Sequence, residues 1–216
     1  FISQGWEREK YHHLCPRLMA FIEHFNNISN WAILSIVSQD TLKKRVKRME
    51  KIIRVGKELA ELNNFNSLMA LVCGLNTAAM LRLKYTRAGL SKKATRMLEE
   101  LEAICSAESS YKSLRARIAS AQPPCIPYVG VYMQDLTFIN DGNENTVNGL
   151  INFGKRRLVF DQIAKIQLYQ QTGWDFPRIP MVYRPLVPPT PGVSENDLSQ
   201  LSLLREPRGC SKSDVK

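Results

Sequence analysis

The chain has 216 residues, 30 Lys+Arg against 20 Asp+Glu, and 44% hydrophobic residues. That length is ample for one core, and that balance excludes wholesale disorder. No run approaches the roughly 18 consecutive apolar residues of a membrane span. Glu7, Arg8 and Glu9 interrupt the start where the apolar segment of a signal peptide would run. The chain does not begin with Met, so it is expected to be a fragment or a processed form. The formal net charge of +10 suits a polyanionic partner: nucleic acid, anionic lipid or an acidic protein surface. The five cysteines are odd in number, far apart and never spaced CxxC, which suggests neither a zinc site nor a disulfide framework. Cys73 and Cys105 read as small core residues, and a reduced, cytoplasmic setting is expected.

The dominant period is helical. Pro16 suits a first helical position, with Leu18, Met19, Ile22 and Phe25 along one face. Ser29 is expected to cap a second helix bearing Trp31, Ile33, Leu34 and Val37. A long helix from about Thr41 to Leu62 carries Val46, Met49, Ile52, Ile53 and Leu59 as its apolar stripe. Eight basic residues, Lys43 through Lys57 and including Arg45, occupy its other faces against one acid, Glu50. Asn66 or Ser67 opens a helix to Leu75 that is apolar nearly all round, as buried helices are. Further helical patterns cover Ser91–Cys105, Ser110–Ala119, Val129–Ile139 and Leu150–Gln170. No pair of strands is expected. The polar stretch Gly142–Gly149 (GNENTVNG) reads as the turn of a helical hairpin. Six of the eleven prolines fall between Pro177 and Pro191, predicting an extended connector. Ser194, three residues before Asp197, suits a capping box. Residues 1–208 are read as one all-α domain and 209–216 as a flexible tail.

Motifs for bond-making chemistry are missing. There is no GxGxxG, GxxxxGK[ST] or GxSxG, and His12, His13 and His24 have no metal-ligand partners at helical spacing. Glu99, Glu100 and Glu102 read as a solvated helix face. The basic helix reads first as solvated, next as fit for an acidic membrane. Nucleic acid ranks last, because no aromatics interleave with its cations.

Five segments occur in an order and spacing that suggest a family: LNNFNSLMALVCGLN (Leu62–Asn76), LRLKYT (Leu81–Thr86), PPCIPYVGVYMQDLTFINDGN (Pro123–Asn143), GLINFGKRR (Gly149–Arg157) and LSLLREPR (Leu201–Arg208). Together they resemble the catalytic domain of Ras-family guanine-nucleotide exchange factors, the domain shared with Son of sevenless.

The resemblance implies an all-α bowl with a protruding helical hairpin, formed here by Val129–Ile139 and Leu150–Gln170. It implies an exchange factor that uses no cofactor and makes no covalent bond. The hairpin would wedge into a small GTPase and pull switch I from the nucleotide, with Thr137 and Asp141 near its tip. An apolar pocket for a switch II tyrosine would be built from Ile22, Met69, Tyr111 and Tyr128. Asn76 matches an asparagine near the GTPase contact surface, and Asn63, Asn64 and Asn66 are expected to brace the helix junction. The implied partner is Ras or Rap, with Ral a further candidate; the alternative is a scaffold of the same fold that binds a GTPase without releasing nucleotide. Taken without the family, Thr137 is a helix-surface residue, Asp141 a turn residue, and Lys155, Arg156 and Arg157 a solvated face. The chain departs from the family in lacking its opening helices. Asp141 stands where glutamate is common, Thr137 where Son of sevenless has leucine, and Glu23 where it has a basic residue.

Overall fold

The computed structural model describes residues 5–183 and 192–215. A short 3-10 turn at Glu9–Leu14 leads into α1 (Pro16–Val37), with Pro16 in its first turn. Then follow α2 (Leu42–Glu61), α3 (Phe65–Leu75), the short α4 (Ala78–Leu81) and α5 (Lys84–Ala88), α6 (Lys92–Cys105) and α7 (Glu108–Ser120). α8 (Val129–Gly142) and α9 (Phe153–Tyr169) pack together as a hairpin, and α10 (Pro180–Tyr183) and α11 (Glu195–Arg205) close the order. Side-chain oxygens cap the helices where the sequence offers them: Thr41 accepts from Lys44 N, Asn64 from Ser67 N, Ser91 from Ala94 N and Asn152 from Lys155 N. The Ser194–Asp197 capping box forms.

The core is organised around α3. Nine of its eleven residues are buried, so it is wrapped by α1, α2 and α6 rather than lying on them. Met49, Ile52 and Ile53 come to it from α2, and Ala32, Ile33, Ile36 and Val37 from α1.

Four local readings change. Ser29 does not cap a helix but lies inside the continuous 22-residue α1. Its small side chain lets α3 come close: a Cβ on Gly74 would stand 2.9 Å from the Ser29 carbonyl oxygen and 3.0 Å from its Oγ. Arg45 is not on the solvated face of α2 but fully buried. Its Nε donates to Thr86 Oγ1 at 3.3 Å and its Nη1 to the Gln39 and Asp40 carbonyls. Burial pulls the Arg45 pKa down and the nearby Glu206 carboxylate opposes that. Cys73 is exposed, whereas Cys105 is in the core. The helix expected from Leu150 begins at Phe153, because Leu150–Ile151 pairs with Thr146–Val147 as a two-stranded antiparallel ribbon. Asn148 and Gly149, at φ 51° and 75°, turn it; Asn-Gly is the preferred pair for that tight turn.

α11 ties the end of the chain to the body. Arg205 Nε donates to the Val37 carbonyl at 2.7 Å, capping α1. Glu206 is buried and accepts from the Tyr85 and Thr86 amides at 3.0 and 2.9 Å, which serves the free donors at the start of α5. Tyr85 donates its hydroxyl to the Cys210 carbonyl, and Val215 is buried. Of the connector expected between Pro177 and Pro191, residues 184–191 lie outside the described residues. Among the described residues, no helix is long and apolar enough to cross a membrane.

Candidate functional site

Two features lie along one edge of α8: a cavity at its N-terminal end and the hairpin tip at its other end. The asparagine-rich LNNFN segment builds the first. Asn63, at φ 57°, donates its Nδ2 to the Gln122 carbonyl at 3.1 Å, and its own carbonyl accepts from Ile126 N at 3.0 Å. Phe65 N returns a bond to the Ile126 carbonyl at 2.9 Å. These bonds staple residues 122–126 to the start of α3. Tyr128 follows two residues later as the N-cap of α8.

The Tyr128 ring stands 5.7 Å from Phe25 and 5.9 Å from Tyr111, both tilted, within the favourable range for aromatic pairs. Burial pushes the Tyr128 hydroxyl up to about 12, so it is a neutral phenol at physiological pH. Gly130 makes room for the ring: a Cβ there would collide with the Tyr128 ring at Cζ. The rim encloses a cavity of about 250 Å³ lined by Phe21, Ile22, Phe25, Asn66, Tyr128 and Met133, among others. Ile22 and Tyr128 thus share one cavity, and Tyr111 buttresses Tyr128 from behind. Met69, only 3% exposed, is on the buried face of α3 in the core and is not part of that lining.

Tyr111 is presented by unusual backbone. Ser109, Ser110 and Tyr111 lie consecutively in the left-handed region, at φ 50°, 56° and 63°. Each such non-glycine residue costs about 1–2 kcal/mol, so outside contacts must hold it. Arg115 supplies them. Its Nε donates to the Ser110 carbonyl at 2.7 Å, and its two Nη groups fork onto Asp135 of α8 at 2.7 and 2.8 Å. The pocket wall and the first hairpin arm are therefore joined by one guanidinium.

The hairpin tip is locked by Lys155. It is 3% exposed, and its ammonium donates to the Asn140 carbonyl at 2.9 Å, Asn140 Oδ1 at 3.0 Å and the Asn143 carbonyl at 2.7 Å. A cation among the last carbonyls of α8 is favourable. This corrects its reading as a solvated residue. Asp141 is exposed beside this clamp, with Asn140 Nδ2 3.5 Å from its Oδ1. Thr137, one turn earlier, donates to Glu7 at 2.6 Å. Around the ribbon and the start of α9, large apolar side chains face solvent: Leu150 is 74% and Phe153 76% exposed. Asn76 caps the C-terminus of α3, and its Oδ1 accepts from Arg87 Nη2 at 3.0 Å.

Gly130 and Arg115 do not stand out in the sequence, and Lys155 reads there as a solvated residue. The Tyr-Val-Gly spacing hinted at the first; nothing local signals that the other two are internal clamps.

Residues 1–157 match the RasGEF domain. The chain is 42% identical over its whole length to Ras guanine nucleotide exchange factor K of Dictyostelium discoideum, covering 14% of that protein. It is 37% identical over 99% of its length to exchange factor J of the same organism, covering 26% of it. With exchange factor R it shares 39% identity over 99% of its length, covering 12% of it. The chain therefore spans between 12% and 26% of the length of these relatives. The match across its first 157 residues, set on an all-α fold with a helical hairpin, identifies the chain as a member of the RasGEF domain family.

Proposed function

We propose that this chain is the exchange module of a larger protein, one that binds a Ras-family small GTPase, Ras or Rap before Ral, and promotes GDP release so that GTP can load. The observation that carries this reading is the joint presence of an apolar cavity walled by Ile22 and Tyr128 and a rigidly clamped hairpin bearing Thr137 and Asp141. In this scheme a switch II tyrosine enters the cavity while the hairpin arm displaces switch I. Asp141 brings negative charge toward the nucleotide phosphates and offers a partner to the lysine they leave behind. No bond is made or broken. The chain works by binding the nucleotide-free GTPase better than the loaded one, and moving that balance from 1:99 to 99:1 takes about 5.5 kcal/mol. Met69 supports the pocket from the core, and Asn76 stands at the edge of the contact surface. The basic face of α2 would add affinity for an anionic membrane.

The test is release of a fluorescent guanine nucleotide from Ras, Rap and Ral, with and without the chain. Acceleration on at least one is expected, and Tyr128→Ala should weaken capture by about 2 kcal/mol or more, as for an aromatic anchor. Unchanged nucleotide release with a well-folded chain would leave a scaffold role instead.

A further inference from the structure

Asn66 has a feature that bracing a helix junction does not explain. Its residue is 2% exposed, and its side-chain Oδ1 is buried without a hydrogen-bond partner. Native proteins leave few such acceptors unpaired, and each one calls for a reason. Asn63 and Asn64 of the same segment are both engaged, the one with the Gln122 carbonyl and the other as the cap of α3. Asn66 instead lines the cavity together with Phe21, Ile22, Phe25 and Tyr128. The nine lining residues include no charged side chain. The cavity measures about 250 Å³, and one of about 150 Å³ already holds a benzene ring. Its chemistry is thus aromatic walls with an unpaired acceptor on a lining residue, which suits a flat ring carrying one donor; that oxygen is closed to water in the empty cavity, so an inserted ring reaches it only as the Asn66 amide turns.

We propose that Asn66 is the polar anchor of this pocket, its Oδ1 accepting a hydrogen bond from the hydroxyl of an inserted tyrosine and so selecting tyrosine over phenylalanine. The inference rests on the GTPase reading above and deepens it: the apolar walls supply affinity, and Asn66 supplies the discrimination. A site built to bond a hydroxyl rejects the analogue lacking it, because the buried acceptor is then left unsatisfied. In the free chain that acceptor contributes nothing to folding.

The experiment pairs the chain, as wild type and Asn66→Leu, with the nucleotide-free GTPase that responds in the release assay, as wild type and with its switch II tyrosine changed to phenylalanine. The wild-type chain should lose about tenfold or more in affinity for the phenylalanine form. Asn66→Leu should bind both forms alike, and its thermal midpoint should be equal to or above that of the wild-type chain. A tyrosine preference that survives in Asn66→Leu, or equal capture of both GTPase forms by the wild-type chain, would overturn the role of Asn66 alone. So would a clear fall in midpoint, which would make Asn66 a structural residue. A well-folded wild-type chain that captures no GTPase overturns the GTPase reading itself, and the inference with it.

Discussion

In the proposed exchange, a single carboxylate at the hairpin tip has to act without disturbing the hairpin. Asp141 is exposed, and the clamp beside it is made by Lys155 to the carbonyls of Asn140 and Asn143, not to Asp141. Its side chain can therefore be removed while the tip keeps its shape. Asp141→Ala should slow nucleotide release by about tenfold, the scale of one lost charge-assisted contact, yet leave affinity for the nucleotide-free GTPase within about threefold. Stopped-flow release and equilibrium capture separate the two, and an equal loss in both would contradict the assigned role. Thr137 differs, because its hydroxyl is already bonded to Glu7. At this scale the sequence is readable only through the family. Tyr128 and Ile22 stand out because they match pocket positions of the family, but Arg45 and Lys155 do not. Helical periodicity sorts residues by face, and a cation on the inward face looks like one on the outward face until its partners, here far along the chain, are known.

The elements obey local rules more openly. The Ser194 capping box and the proline at the start of α1 lie where the pattern puts them, and the helices expected from about Thr41 and from Ser91 begin there, with those two residues as their caps. Ser29 misleads because a residue that suits a cap also suits a close helix crossing, and only the partner helix decides which. Asn148-Gly149 is a tight-turn signal, obscured by the long helical patterns on either side. The left-handed turn at 109–111 has no glycine to announce it; Arg115, further along the same helix, holds it while anchored on Asp135 of α8. The α1–α3 crossing gives a direct test of packing. At Gly74 the obstacle is the Ser29 backbone oxygen, 2.9 Å from a new Cβ, so α1 itself would have to move. At Gly56 the nearest atom, at 2.8 Å, is the Leu101 Cδ1, which can rotate away. Gly74→Ala should thus cost about 1–3 kcal/mol and Gly56→Ala less, offset further by alanine's helix propensity. Urea unfolding of both variants checks the order, and a reversed order would mean the crossing is not tight.

For the whole molecule, α2 alone, with eight basic residues against three acidic ones, carries half of the surplus of ten positive charges. Lys43, Lys47, Lys51, Arg54 and Lys57 are exposed along α2, and Lys92, Lys93 and Arg96 are exposed at the start of the adjoining α6. Arg54 and Lys93 line one shallow cleft together with the carboxylate of Glu50, so the two groups form a continuous face with one acid within it. Only part of it is neutralised, Lys57 by Glu61 at 3.7 Å and the nearby Lys44 by Asp40 at 3.0 Å. These are exposed pairs of the kind worth little in water. Such a face suits an anionic membrane, as proposed above. Each cation held near that surface contributes about 1 kcal/mol. Replacing Lys47, Lys51 and Arg54 by glutamate should therefore lower partitioning onto phosphatidylserine-containing vesicles by about a hundredfold or more. Raised salt should do the same to the wild-type chain, since screening over about 10 Å at 0.1 M shortens sharply with ionic strength. Cosedimentation with phosphatidylcholine vesicles, with and without phosphatidylserine, reads both effects. The triple substitution should leave release from a soluble GTPase intact while removing any gain seen when the GTPase is tethered to the vesicle. Equal binding to neutral vesicles, or no change in the triple variant, would return the basic face to a solvating role.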